Sequence, residues 1–147
     1  MTAESLSKNR NGFLPVVSQM PRDNHSLMQL YLDGIKNNFF TFFFVDEKNK
    51  KKINSKNLFN NLDFIKNKKI GDIKKCQFLA TQNIFTKKKI PYRSFIVHNR
   101  NEEALGELFI FFILETILAG KILGINPFNQ PAVELIKSET KKLLLKL

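Results

Sequence analysis

The sequence has no tryptophan, a single cysteine (Cys76) and only two histidines, His25 and His98. With one cysteine no intrachain disulfide can form, and a reducing cytoplasm is the expected location. Neither histidine has a second Cys or His at metal-ligand spacing, so no metal is expected. Long hydrophobic runs are missing too. The two most apolar stretches, Phe39–Val45 and Leu108–Leu114, fall far short of the ~20 residues that cross a bilayer, and no membrane partner is expected. The opening MTAESLSKNRNG lacks the apolar core of a secretory signal. A Gly-rich phosphate loop, a nucleophile elbow and a metal motif are all absent.

What is present is a chain of 147 residues, 43% hydrophobic and 25% charged, with a composition that suits one globular domain. Phenylalanine is abundant, at 15 residues, and the formal net charge is +11. A positive field favours anionic partners. The lysines, however, fall in short runs at Lys50–Lys52, Lys68–Lys69 and Lys87–Lys89, set among Asn and Asp, as on a solvated surface. No aromatic residues alternate with basic ones and no arginines cluster, so no nucleic-acid partner is expected.

Thr2–Lys8 reads as the tail of a helix that stops at Asn9, Asn11 and Gly12. Pro15 and Pro21 bracket a non-helical connection. Asp23 or Asn24 can cap a second helix carrying Leu27, Leu30 and Tyr31, which Asp33 and Gly34 end. Phe39–Val45 has the length and apolar continuity of a strand buried on both faces. A polar excursion from Asp46 to Asn61 holds a short helix near its end. A helix over Ile70–Lys87 follows, with Ile73, Gln77, Ala80 and Ile84 on related faces. After Pro91 comes a strand, Tyr92–Val97. Asn101 can cap a long helix, Glu102–Leu123, whose early glutamates suit the helix dipole. Gly124 and Pro127 close it, and a last helix spans 130–146. Helices alternating with buried strands indicate an α/β layered domain with an incomplete sheet. The chain reads as one unit, 1–147, with no internal linker.

From the residues alone, the acid–base candidates are Glu4, His25, Glu134 and Lys137. Glu134 and Lys137 are spaced as an ordinary i,i+3 surface ion pair. His25, near a helix start, suits a surface or cap-neighbour position as well as a catalytic one.

The segment GKILGINPFNQPAVELIK, Gly120–Lys137, resembles the carboxy-terminal signature of glucose-6-phosphate isomerases. The family pattern has a small residue, two apolar residues, an aromatic, Asp or Asn, Gln, a small residue, an aliphatic, Glu and a closing Lys. Gly120, Ile122, Leu123, Phe128, Asn129, Gln130, Ala132, Val133, Glu134 and Lys137 fill those places. TAESLSK at Thr2–Lys8 is similar to the segment holding the family's isomerising glutamate, which makes Glu4 that base. DNHSLMQLYLDG at Asp23–Gly34 is similar to the segment holding its ring-opening histidine, which makes His25 that residue. The resemblance extends through GELF at Gly106–Phe109. Four positions depart from it: Ser7 and Ile136 stand where glycines are more usual, Asn129 where an aspartate is, and Ala132 where a glycine is.

The resemblance implies part of a sugar-isomerase (SIS-type) three-layer αβα sandwich and an aldose–ketose isomerase of glycolysis and gluconeogenesis that needs no cofactor. It implies Glu4, His25 and Lys137 as catalytic groups, Gln130 as a substrate contact, a hexose phosphate as substrate, and a homodimer in the full-length family. The family's phosphate-binding loops and enediolate-stabilising arginine lie upstream of the matched region. The chain is therefore expected to be a carboxy-terminal fragment, inactive alone, with an amino-terminal chain as its complement. A non-catalytic sugar-phosphate-binding module of the same fold is the alternative, because fold does not fix function.

Overall fold

In the computed structural model, Phe40–Val45 (β1) and Tyr92–Val97 (β2) pair in parallel, with Phe40 opposite Tyr92 and Val45 opposite Val97. A parallel pair needs a long connection between its strands, and the helix Ile70–Lys87 (α3) lies within it. The structure describes residues 1–8, 12–34, 36–46, 51–53 and 60–146. The other helices are Thr2–Leu6 (α1), Asn24–Asp33 (α2), Glu102–Leu123 (α4) and Pro131–Leu144 (α5), with a 3-10 segment at Asn60–Ile65. The mixture is α/β, as expected. The chain falls into two units, one comprising 17–104 and the other 1–16 with 105–147.

The 17–104 unit is held by aromatic rings. Alternation along β1 puts Phe40, Phe42 and Phe44 on one face. Phe85 of α3 meets Phe40 and Phe42 edge-on, at centroid distances of 4.9 and 5.1 Å. Phe78 stacks on Phe44 at 4.6 Å. Tyr31 of α2 meets Phe40 at 5.1 Å, and Gln82 donates to the Ser94 hydroxyl at 2.7 Å. Phe85 is fully buried. The inward face of α3 is thus set by Phe78, Gln82 and Phe85. Of Ile73, Gln77, Ala80 and Ile84, expected on related faces, Ile73 is half-buried and the other three are exposed, because the rings facing β1 outweigh the smaller apolar side chains.

The other face of the sheet differs from the expectation of burial on both sides. Phe43 stacks on Phe95 at 5.3 Å yet remains 55% exposed. Arg93 lies over the Phe39 and Phe95 rings and donates to the Thr41 hydroxyl at 3.0 Å. One layer of helices covers this sheet within the unit.

Helix ends follow local chemistry. The Asn101 side chain accepts from the Ala104 N–H at 3.0 Å, the predicted cap of α4. Asp23 stands at the N-cap position of α2 without a side-chain capping bond, since its carboxylate is engaged elsewhere. The expected stop of α1 at Asn9 and Asn11 lies outside the described residues, and α1 itself closes at Leu6. Of the lysine runs, Lys68–Lys69 and Lys87–Lys89 are exposed, as the sequence predicts, while Lys50 lies outside the described residues. Among the described residues no helix is long and apolar enough to cross a membrane.

The second unit contains α1, α5 and all but the start of α4. Leu6 is buried, and Thr116 is buried with its hydroxyl donating to the Phe112 carbonyl at 2.7 Å. That leaves the Thr2 hydroxyl, 3.0 Å away, as the donor to Thr116. The carboxyl end of α4 closes in a Schellman motif, in which Ile125 N–H bonds the Gly120 carbonyl at 2.8 Å and Gly124 N–H the Lys121 carbonyl at 3.3 Å. Gly124 has φ of 67°, the left-handed region that glycine adopts freely. Gly120 is required for close approach, since a Cβ there would lie 2.8 Å from the Ile125 carbonyl oxygen. These two glycines fold the 124–130 segment back onto α4.

Candidate functional site

Glu4 and Gln130 are 126 positions apart in sequence, and Gln130 Nε2 donates to Glu4 Oε1 at 2.8 Å. Glu4 is supplied by the short α1, whose other side is anchored by Leu6 and by the Thr2–Thr116 bond. Gln130 is the N-cap residue of α5, and Pro131 opens that helix, where a missing N–H costs nothing. Gln130 makes no capping bond of its own, so its amide is given over to Glu4.

Around this pair lies a cleft of about 930 Å³, lined among others by Glu4, Ser7, Lys8, Asn126, Asn129 and Gln130. That volume is at the upper end of the range for small-molecule sites. Lys8 Nζ donates to Asn129 Oδ1 at 2.8 Å and also to the Asn126 carbonyl. Asn126 in turn accepts the Phe128 N–H on its side chain at 2.9 Å, which tightens the loop. The wall combines a carboxylate, an ammonium and amides with the apolar side chains of Phe13, Leu14, Ile125 and Val133.

Lys137 is on α5, four residues beyond the cleft-lining Val133 and so on the same helix face. Its ammonium pairs with Glu134 Oε1 at 2.7 Å, and both side chains are about two-thirds exposed. This is the surface pair that the spacing predicts. His25 belongs to the 17–104 unit, exposed in the first turn of α2. The approach to that turn is fixed by Asp23, which accepts from the Gln19 N–H at 2.6 Å and from Arg22 Nε at 2.9 Å. The Arg22 hydrogen bond, then the Gln19 N–H, hold the Asp23 carboxyl below the usual range, against the opposing effect of burial. Among the described residues, no three His, Cys, Asp or Glu side chains are grouped to hold a metal.

The four departures from the family pattern have local accounts. Ser7 has φ of −79°, which needs no glycine. Ile136 is 70% exposed on α5, where a side chain meets no obstacle. Asn129 supplies an acceptor for Lys8, as an aspartate would. Ala132 adds only a methyl to the cleft wall. Lys8 and Asn126 are the site residues that sequence reasoning misses. Lys8 lies inside the TAESLSK segment, but nothing in its spacing announces a partner more than a hundred residues away.

No family model matches the chain. Among curated proteins, it is 37% identical to the glucose-6-phosphate isomerase of Mycoplasmopsis pulmonis over 149 aligned residues, covering 97% of the chain and 34% of that relative. It is 32% identical to the glucose-6-phosphate isomerase of Methanocaldococcus jannaschii, covering 100% of the chain and 35% of the relative. Among solved structures, a hypothetical protein of Thermus thermophilus superposes with a TM-score of 0.80 at 22% identity, over 97% of this chain and 36% of that one, a likeness of fold. The chain spans about a third of the length of the curated relatives it matches. With identities of this size running along nearly its whole length, and through the segments that form the cleft, the chain belongs to the glucose-6-phosphate isomerase family.

Proposed function

We propose that this chain is the carboxy-terminal part of a glucose-6-phosphate isomerase, interconverting glucose 6-phosphate and fructose 6-phosphate once an amino-terminal part completes it. The observation that carries this reading is the 2.8 Å bond between Gln130 and Glu4. Two segments separately similar to isomerase motifs, at opposite ends of the chain, meet in one cleft. A coincidental resemblance gives no reason for that meeting.

The reaction is redox-neutral and needs only proton transfers. His25, assisted by Lys137, moves a proton between the ring oxygen and the anomeric hydroxyl to open the sugar. An imidazole suits this task because it gives and takes protons near neutrality. The Glu4 carboxylate then removes the proton from C2 of the open aldose, giving an enediol-type intermediate, and returns it to C1 while a proton passes from the C2 oxygen to the C1 oxygen, which forms the ketose. Gln130 contacts the substrate and holds Glu4. The Lys137 ammonium stabilises negative charge developing on an oxygen.

Several wider features belong to the same proposal: a three-layer SIS-type sandwich, a single sugar-isomerase domain continued beyond this chain, a homodimer, and cytoplasmic work in glycolysis and gluconeogenesis. The need for an amino-terminal complement is supported by α4. This helix is apolar on nearly every side, and Ile110, Leu114, Leu118 and Ile122 are each more than half exposed. A helix of that kind is normally covered all round. The complement would also bring the phosphate contacts, without which the sugar is poorly oriented.

A coupled assay of fructose 6-phosphate conversion tests the reading. The chain alone should show little or no turnover, and the chain combined with an amino-terminal isomerase part should show robust turnover. Turnover by the pure chain would contradict the requirement for a complement. Hexose-phosphate binding with no turnover in the complemented protein would favour the non-catalytic module.

A further inference from the structure

We propose that Lys8 is a positioning residue that clasps the Asn126–Asn129 loop and thereby holds Gln130 against Glu4. The functional meaning of this clasp rests on the reading of Glu4 as the proton-carrying base, but its geometry does not.

The contacts form a closed circuit. The backbone runs from Glu4 to Lys8, four residues on. The Lys8 ammonium reaches Asn129 Oδ1 at 2.8 Å and the Asn126 carbonyl. Asn129 is followed directly by Gln130, whose amide returns to Glu4 Oε1 at 2.8 Å. Each half of the circuit is weak by itself. A five-residue helix such as α1 is marginal without tertiary support, and an exposed glutamine gives up rotamer freedom when it binds a single partner. Joined, the halves restrain each other.

The 124–130 segment is fastened at both ends. Its start is fixed by backbone bonds of the Schellman motif on Gly120, and its other end runs into α5 and is tied to α1 by side chains. Lys8 is the charged member there. A lysine ammonium carries three donors on a flexible stem, and here it serves two oxygens three residues apart. Both acceptors are uncharged in this chain. The family pattern admits Asp at the Asn129 position, and an aspartate would convert one contact into a charge-assisted bond. Lys8 does not need to touch substrate for this purpose. It acts through Gln130.

The test of the geometry uses the intact 147-residue chain, isotopically labelled. The readouts are the water-exchange rate of the Gln130 side-chain amide and its nuclear Overhauser contact to the Glu4 methylene. Lys8→Met should speed the exchange by roughly 2–10-fold, the value of one ordinary hydrogen bond, and erase the contact while the backbone spectrum of α4 and α5 persists. Lys8→Arg and Asn129→Asp should retain both signals. An unchanged Gln130 signal in Lys8→Met overturns the clasp. If Lys8→Met fails to fold, Asn129→Ala decides: a faster Gln130 exchange supports the clasp, and an unchanged one overturns it. Release of Gln130 by Lys8→Met, together with full turnover by Glu4→Gln in complemented protein, would uphold the clasp and remove the base.

Discussion

The two units of the chain are held by different forces. In the 17–104 unit, rings from α2 and α3 pack on one face of a parallel strand pair, and Phe85 is buried completely. In the 1–16/105–147 unit, Leu6 is likewise the one buried apolar side chain among the described residues, and the cleft is assembled by polar tethers and two glycines. Ring-to-ring packing holds the first unit. The second positions chemistry while leaving most of α4 bare. Glu4 and Gln130 are thus held by polar tethers, whereas His25 is carried on a helix whose Tyr31 packs on the aromatic core.

The largest effect should come from the aromatic core. Phe85→Ala removes a fully buried ring and should cost about 3–5 kcal/mol, read as lost hydrogen-exchange protection in β1 and β2. Protection in α4 should change little, and equal loss in both regions would erase the contrast between them. Next in size, Gly120→Ala places a methyl 2.8 Å from the Ile125 carbonyl, a backbone atom that cannot step aside cheaply. Overpacking of this kind should cost about 1–3 kcal/mol and loosen the Gln130–Glu4 contact, measurable by unfolding and by the Gln130 amide signal. Thr116→Val deletes both hydroxyl bonds that Thr116 makes and should cost about 0.5–1.5 kcal/mol per bond, localised to α1 and α4 by exchange.

The smallest effect is on α2 and depends on pH. Arg22 and the Gln19 N–H lower the Asp23 pKa in the folded chain. The stabilisation is therefore complete above the ordinary unfolded value, about 3.9, and is lost as pH falls through the lower folded one. The chemical shift of the Gln19 amide, which reports its bond to the Asp23 carboxylate, should drift as pH falls below about 4, and Asp23→Asn should remove that drift.

Much of this arrangement is legible in the sequence because it is local. The apolar continuity of Phe40–Val45, the Asn101 cap and the Gly124 stop each encode a local preference, and each element stands where the sequence puts it. The inward face of α3 is not legible, because four residues at helical spacing cannot show which side meets the rings of β1. Asp23 occupies the capping position, but its carboxylate serves Gln19 and Arg22, a competition invisible to spacing. The site is legible chiefly through resemblance: physical reading offers Glu4, His25, Glu134 and Lys137 as acid–base candidates, treats the last two as a surface ion pair, and does not single out Gln130. The contact between Glu4 and Gln130 bridges 126 positions and the Lys8 tether to Asn126 bridges 118, and no periodicity reports a pairing that distant.

The decisive substitution for Glu4 as the proton-carrying base is Glu4→Gln in the complemented protein. The substitution keeps the side chain's shape and its place beside Gln130, and it removes the proton acceptor. The account predicts that kcat for fructose 6-phosphate conversion falls by ~10²–10⁴-fold, the contribution of a positioned general base, with KM little altered. Turnover by Glu4→Gln at the rate of the unsubstituted complemented protein would contradict it.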